Sequence, residues 1–202
     1  MNITVLANED LASNFALNHL LPSLAKNHSL HVFLSSRVGS AAAPNPKLSQ
    51  LSFFEQTLFN DLLFPALDKA RPGRGLHTFK QLADACHAPV SVLNGINSDA
   101  GLASLSGTEP DVVLSIRYGG ILRAEAIAIA RHGVLNLHSG LLPNYRGVMA
   151  TFYAMLNSET EIGTTLHYIR DAGIDTGDIV GSTRTPLQRD RSYLWNVLQL
   201  YP

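Results

Sequence analysis

A single cysteine in 202 residues excludes an internal disulfide, and Cys86, followed by His87, has no partner at a zinc-ligand spacing. It reads as a small core residue. No apolar stretch approaches the length needed to cross a bilayer, and the run from Met1 to Ala7 is too short for a signal peptide and lacks a basic region. A soluble, cytoplasmic protein without a membrane partner is expected. Charged residues are scarce, at 15 %, and nearly balanced, with 15 Lys and Arg against 16 Asp and Glu. That balance leaves no basic surplus to capture nucleic acid by its phosphates, so no nucleic-acid partner is expected. The loop after the first apolar run has no G-x-G-x-x-G, which disfavours a nicotinamide oxidoreductase. No repeat or low-complexity tract interrupts the chain. What is present is a 46 % hydrophobic fraction, and the length suits one domain with a substantial core.

The most informative stretch is Val134-Leu135-Asn136-Leu137-His138-Ser139-Gly140-Leu141-Leu142-Pro143-Asn144-Tyr145-Arg146-Gly147. It reads as a short apolar strand running into a polar loop marked by Gly and Pro. Alternation along a strand puts Asn136 and His138 on one face and Leu135 and Leu137 on the other. An amide donor and a titratable imidazole then share one small volume, a pairing that suits acyl transfer, where charge develops on a carbonyl oxygen and a proton leaves the nucleophile. An isolated N-x-H would read more simply as a turn former beside a buried histidine. Further on, Tyr168 to Val180 forms a strand, a Gly loop bearing carboxylates, and a second strand. Such a loop brings one Asp back over the first strand's end, and Asp171, Asp175 and Asp178 all compete for that place.

These motifs together resemble the formyltransferases that use 10-formyltetrahydrofolate, a group that includes methionyl-tRNA, glycinamide ribonucleotide and amino-sugar formyltransferases. The resemblance rests on Asn136-Leu137-His138, Leu141-Leu142-Pro143, Arg146-Gly147 and Gly173-Ile174-Asp175-Thr176-Gly177-Asp178, in that order. Asp111 to Leu122 is similar to the strand and loop that hold the folate in those enzymes. The clear part covers about residues 110 to 180, with a weaker likeness toward both ends. Ser139-Gly140 departs from the pattern, since many members place the serine directly before Leu-Leu-Pro.

The resemblance implies a single formyltransferase catalytic domain over 1–202, compatible with a missing C-terminal extension and with a homo-oligomer. It implies 10-formyltetrahydrofolate as formyl donor, no metal, and Asn136, His138 and Asp175 as catalytic residues. Asn136 and protonated His138 would donate to the oxyanion, while Asp175 would accept the amine's proton and favour the imidazolium of His138. The folate would be held by Tyr118, Gly120, Ile121, Leu122, Val134, Ile169, Asp171 and Gly173. Enzymes of the group that formylate a phosphorylated amine carry a Gly-rich first loop. Here that loop is Asn8-Glu9-Asp10, whose carboxylates would repel phosphate and welcome a cationic amine, or simply face solvent near a helix start. The expected acceptor is the primary amine of a small metabolite, a nucleotide-linked amino sugar or a modified amino acid. A formyltetrahydrofolate hydrolase and a non-catalytic folate- or partner-binding module are the competing expectations.

In chain order the pattern predicts an α/β fold, a Rossmann-like, mostly parallel sheet flanked by helices. Strands are expected at 3–7, 30–34, 90–93, 112–116, around 134–138, at 164–169 and at 183–186. Helices are expected after a cap at Asp10 or Ser13, at 51–70 with Phe54, Leu58, Phe59 and Leu62 inward, before Cys86, after Ser98, at 124–130, at 150–156 and at 192–200. Phe152, Tyr153 and Met155 read as core. Thr165, His167 and Ile169 should share a strand face, with His167 a neighbour of the site. Residues 36–50 and 71–75 read as loop and turn.

Overall fold

The apolar runs separated by helical stretches fold in the computed structural model into one seven-stranded sheet; the structure describes residues 1–36, 49–70, 73 and 75–202. β1 (Asn2–Asn8), β2 (Ser29–Ser35), β3 (Val90–Val92), β4 (Val112–Ile116), β5 (Val134–His138), β6 (Glu161–Ile169) and β7 (Ile179–Pro186) lie in the order β3-β2-β1-β4-β5-β6-β7. The five strands from β3 to β5 are parallel, and β6 and β7 are antiparallel to their neighbours. The expected α/β architecture is therefore present, with two antiparallel strands at one side. Because the chain winds outward from β1 in both directions, the crevice at the carboxyl ends of β1 and β4 is the place where such sheets bind ligands.

The alternation along β1 separates two cores. Val5 and Ala7 face one layer with Leu17 and Leu21 of α1 (Leu11–Leu24), Leu82 of α4 (Phe79–Cys86) and Val197 of α8 (Tyr193–Leu198). Leu6 faces the other, with Phe33, Val113 and Val134 against Leu105 of α5 (Asp99–Ser106) and Ala126 of α6 (Ala124–Ile127). Burial on both faces explains why the parallel strands read as nearly unbroken apolar runs. Each fully buried Leu or Val of this kind contributes about 1.5–3 kcal/mol. Helix starts are fixed by side chains: Asp10 accepts the Ser13 N–H at α1, and Thr78 and Gln81 form a reciprocal capping box at α4. Cys86 lies in the first core, as expected of a small apolar residue.

Four elements differ from the sequence pattern. The helix expected over 51–70 is α2 (Ser49–Ser52), a π-helical stretch Phe53–Leu63, and α3 (Phe64–Leu67). The wider π turn, bonded i to i+5, carries a stripe spaced for an α-helix off the core side, and Phe54 and Leu62 are exposed. In α7 (Ala150–Leu156) the small residues Ala150, Thr151 and Ala154 face inward, so Phe152 and Tyr153 are exposed rather than core. The short final strand is instead the tail of β7, which begins at Ile179. α6 ends at Ile127, short of Ala130. Most of the loop expected at 36–50, and Arg71, Pro72 and Arg74 of the expected turn, lie outside the described residues. Among the described residues no helix is long and apolar enough to cross a membrane.

Candidate active site

β5 and β6 build the centre of the site by their register. Antiparallel pairing sets Asn136 opposite His167 and His138 opposite Thr165, and residues paired in this way point to the same face. Four polar side chains therefore converge at the carboxyl end of β5. Asp175 reaches them from the loop between β6 and β7, in the left-handed region at φ 51°. Its Oδ2 accepts the Gly147 N–H at 2.7 Å and faces His138 Nδ1 at 3.3 Å. Its Oδ1 lies 3.3 Å from Asn136 Nδ2 and 3.3 Å from His167 Nε2. One carboxylate thus touches the amide and both imidazoles.

The carbonyl partners fix where the ring protons sit. His138 Nε2 lies 2.6 Å from the Tyr145 carbonyl oxygen, which can only accept, so Nε2 carries a hydrogen. Its Nδ1 can then bond to the Asp175 carboxylate only with a second proton, as imidazolium. His167 Nδ1 lies 2.9 Å from the Tyr168 carbonyl and donates to it, which leaves Nε2 to accept from Asn136 Nδ2 at 3.1 Å. The contacts divide by length. Those at 2.6 and 2.7 Å pin the His138 ring and the Asp175 carboxylate, whereas those at 3.3 Å are long for a hydrogen bond and are open to exchange with a bound group.

The three candidate carboxylates separate on these grounds. Asp171 accepts the Gly173 N–H at 2.7 Å within its own exposed loop, and Asp178 pairs with Arg170 at 3.3 Å at the surface. Only Asp175 enters the cluster. Gly177, two residues on, has the Tyr168 carbonyl oxygen 1.8 Å from where a Cβ would stand. Gly177→Ala must therefore displace the loop that carries Asp175. A loss of about 1–3 kcal/mol of stability in chemical denaturation is expected, and a variant as stable as the parent would contradict this close approach.

The remaining residues expected at the folate are scattered by the structure. Ile121 is 57 % exposed after β4, and its carbonyl accepts from Asn97. Tyr118 donates its hydroxyl to the Leu93 carbonyl at 2.6 Å, and burial pushes its phenol up to about 12. Gly120 lies against the Tyr118 ring, 3.0 Å from a would-be Cβ. Leu122 and Val134 have side chains buried in the second core, Val134 at the opposite end of β5 from His138, so a contact with a ligand there would be made by the backbone. Ile169, paired with Val134, packs against that same core.

The first loop is tied into the fold. Asn8 and Asp10 are buried, and Asp10 is committed: it caps α1, accepts from Asn8 Nδ2 at 2.9 Å and pairs with Arg117 at 3.1 Å. Burial pushes the Asp10 carboxyl up, but the Arg117 guanidinium and the Ser13 and Asn8 donors together hold it below its ordinary value. Its charge is therefore spent on Arg117 rather than presented to an amine. Glu9 is half-buried, with its carboxyl raised by burial and by Asp61.

Arg117 itself carried no signal in the sequence. It follows β4 at φ 58°, in the left-handed region unusual for a side chain of its size, and so swings toward β1. Glu55 of the π-helical stretch approaches it at 3.8 Å, with a carboxyl raised by burial and by Asp10 against the opposing pull of Arg117. Ser139 shares a 2.9 Å hydrogen bond with the Tyr201 hydroxyl, which gives the displaced serine a structural partner.

Comparison with known proteins identifies the family and the fold. Residues 80–193 match the family model described as Formyl transferase. A methionyl-tRNA formyltransferase of Geobacter metallireducens is 35 % identical over 101 residues, covering 50 % of this chain and 32 % of that protein. The chain spans about a third of the length of the curated relatives it matches. Among solved structures, a phosphoribosylglycinamide formyltransferase from Bacillus halodurans covers 98 % of this chain and 87 % of its own at TM-score 0.62 and 14 % identity. WlaRD, a sugar 3N-formyl transferase studied with dTDP and 5-N-formyl-THF, covers 98 % of this chain and 58 % of its own at TM-score 0.55 and 18 % identity. At these identities the structural likeness concerns the fold.

Proposed function

The chain belongs to the formyl transferase family, and from that premise we propose that it moves a formyl group from 10-formyltetrahydrofolate to the primary amine of a small metabolite. The observation that carries this reading is the single carboxylate of Asp175 in contact with Asn136, His138 and His167. Bound folate would supply a formyl carbon whose bond to N10 breaks as the amine bonds to it. Asn136 Nδ2, keeping its 3.1 Å bond to His167, and His138 Nδ1 would turn to the oxygen that gains charge the N–H groups that now meet Asp175 at 3.3 Å. Asp175 Oδ1 would take the proton the amine gives up, one proton then passing to N10 as its bond to the formyl carbon breaks, while Oδ2 stays pinned by Gly147. His167, buried and bonded to its own strand through Tyr168, would keep the Asn136 amide oriented.

Ile121 after β4 and Ile174 beside Asp175 are large apolar side chains left exposed on loops at this end of the sheet, and each could lie against a flat ring. The acceptor reading rests on the first loop having no glycines to cradle a phosphate, with Asp10 committed to Arg117 and Glu9 half-buried. The sugar formyltransferase among the structural neighbours keeps nucleotide-linked amino sugars first in any acceptor panel, with modified amino acids second.

Calorimetric titration with 5-formyltetrahydrofolate, a stable analogue of the donor, is the direct test. Saturable binding is expected, with turnover of one amine that Asn136→Ala, His138→Ala and Asp175→Ala each abolish. Folate turnover without any amine would instead identify a hydrolase, and well-folded protein that binds no folate would point to a non-catalytic module.

A further inference from the structure

We propose that Thr165 is a positioning residue, which fixes the proton pattern of His138 by clamping the loop between β5 and α7. The hydroxyl is buried on β6 directly opposite His138. It donates to the Gly140 carbonyl at 2.7 Å and accepts the Leu142 N–H at 3.1 Å, so one side chain ties two backbone groups of a loop that no strand ladder supports. From there the loop closes on itself, with the Tyr145 N–H donating to the Leu141 carbonyl at 3.0 Å. The Tyr145 carbonyl then takes the Nε2–H of His138, and two residues later the Gly147 N–H holds Asp175. Loop position and ring protonation are thus one geometric problem.

How tightly they are joined is shown at Gly140. A Cβ there would stand 2.5 Å from His138 Nε2 and 2.7 Å from the Tyr145 carbonyl oxygen. The backbone runs so close to the ring that a small shift of the loop must move the carbonyl off Nε2. The titratable groups facing His138 are Asp175, from the loop after β6, and His167, from β6 itself, whose ring centroid is 6.4 Å away. Asp175 faces Nδ1, the ring nitrogen that does not meet the Tyr145 carbonyl. Whenever His138 carries a single proton, the Tyr145 carbonyl holds it on Nε2, and loss of that partner would let it move to Nδ1 beside Asp175.

Thr165→Val keeps the shape and removes the hydroxyl, and Thr165→Ser keeps the hydroxyl and removes the methyl. Histidine labelled with 15N reports the protonation of each ring nitrogen directly, with His138→Gln used to assign its signals. In the parent and in Thr165→Ser, His138 Nε2 is expected to be protonated and hydrogen-bonded; in Thr165→Val the two tautomers should mix. With an acceptor in hand, Thr165→Val should lose on the order of ten- to a hundredfold in kcat at unchanged KM for the donor, as misplacement of a reacting group does. Thr165→Ser should recover most of it. Should Thr165→Val fail to fold, Thr165→Cys, a weaker donor in the same place, is the second variant, with an intermediate tautomer shift expected. Parental His138 signals in Thr165→Val, or in Thr165→Cys where that variant stands in for it, overturn the proposal, as does equal damage in Thr165→Ser. The kinetic part rests on the formyl-transfer reading; the spectroscopic part does not, so a protein that transfers no formyl group leaves the test of Thr165 intact.

Discussion

Replacing Asp175 by Asn is expected to lower kcat by about 10²–10⁴-fold, the range for loss of a positioned proton acceptor. The substitution is nearly isosteric, so the loop should survive it. Gly147 can still donate to the amide oxygen that replaces Oδ2, and the unusual φ of 51° is one that Asn tolerates as readily as Asp. What disappears is the negative charge between His138 and His167. Two consequences should be separable by kinetics. KM for the folate should change little, because in the proposed mechanism the carboxylate acts after binding, and the remaining activity should no longer depend on a group accepting a proton at this position. Steady-state rates with saturating donor and a reactive amine measure both. An Asp175→Asn variant with parental kcat would remove the carboxylate from the mechanism, and retention of activity in Asp171→Asn and Asp178→Asn completes the comparison.

Replacing Arg117 by Met should produce the largest loss of stability, about 3–5 kcal/mol, because it strands the buried Asp10 carboxylate without its partner. For a domain of this size that is roughly 10 °C in Tm. The two carboxylates around Arg117 make the effect asymmetric. Glu55, whose carboxyl burial already raises, can take up a proton and become neutral, whereas Asp10 also holds the Ser13 N–H at the start of α1 and is poorly placed to do so. The pH dependence has a definite sign. Asp10 is held below its ordinary value in the folded chain, so the stability it contributes is present above the unfolded carboxyl range and is lost as pH falls through its depressed folded value. Acid unfolding of the parent should therefore contain a component below about pH 4 that Asp10→Asn lacks. Thermal scans of parent, Arg117→Met and the double variant Arg117→Met with Asp10→Asn test the account, since the second change should restore part of what the first removes. A double variant no more stable than Arg117→Met would show that the cost lies in packing alone.

Both predictions concern residues whose partners are far away in sequence, and this divides what could be read early from what could not. His167 was legible in part: strand alternation placed it on a face with Thr165, but its role needed β6 to run antiparallel to β5. The apolar face of 51–70 misled, because a π-helical stretch turns the same residues to different directions. The same holds for α7, where close packing selected the small residues and turned Phe152 and Tyr153 outward.

By itself the sequence determined the α/β class, because long apolar runs alternating with helical stretches bury a parallel sheet on both faces. It also determined the Asn136, His138 and Asp-loop motifs, because period-two alternation and Gly-marked loops are local properties. Only the tertiary structure decided which of three carboxylates enters the site, that Asp10 is committed to Arg117, and that the Tyr145 carbonyl meets His138. Those outcomes depend on strand register, on the left-handed backbone at Arg117 and Asp175, and on the close approach of a loop to a ring. Each is set by contacts between distant segments, for which no single stretch of chain carries the information.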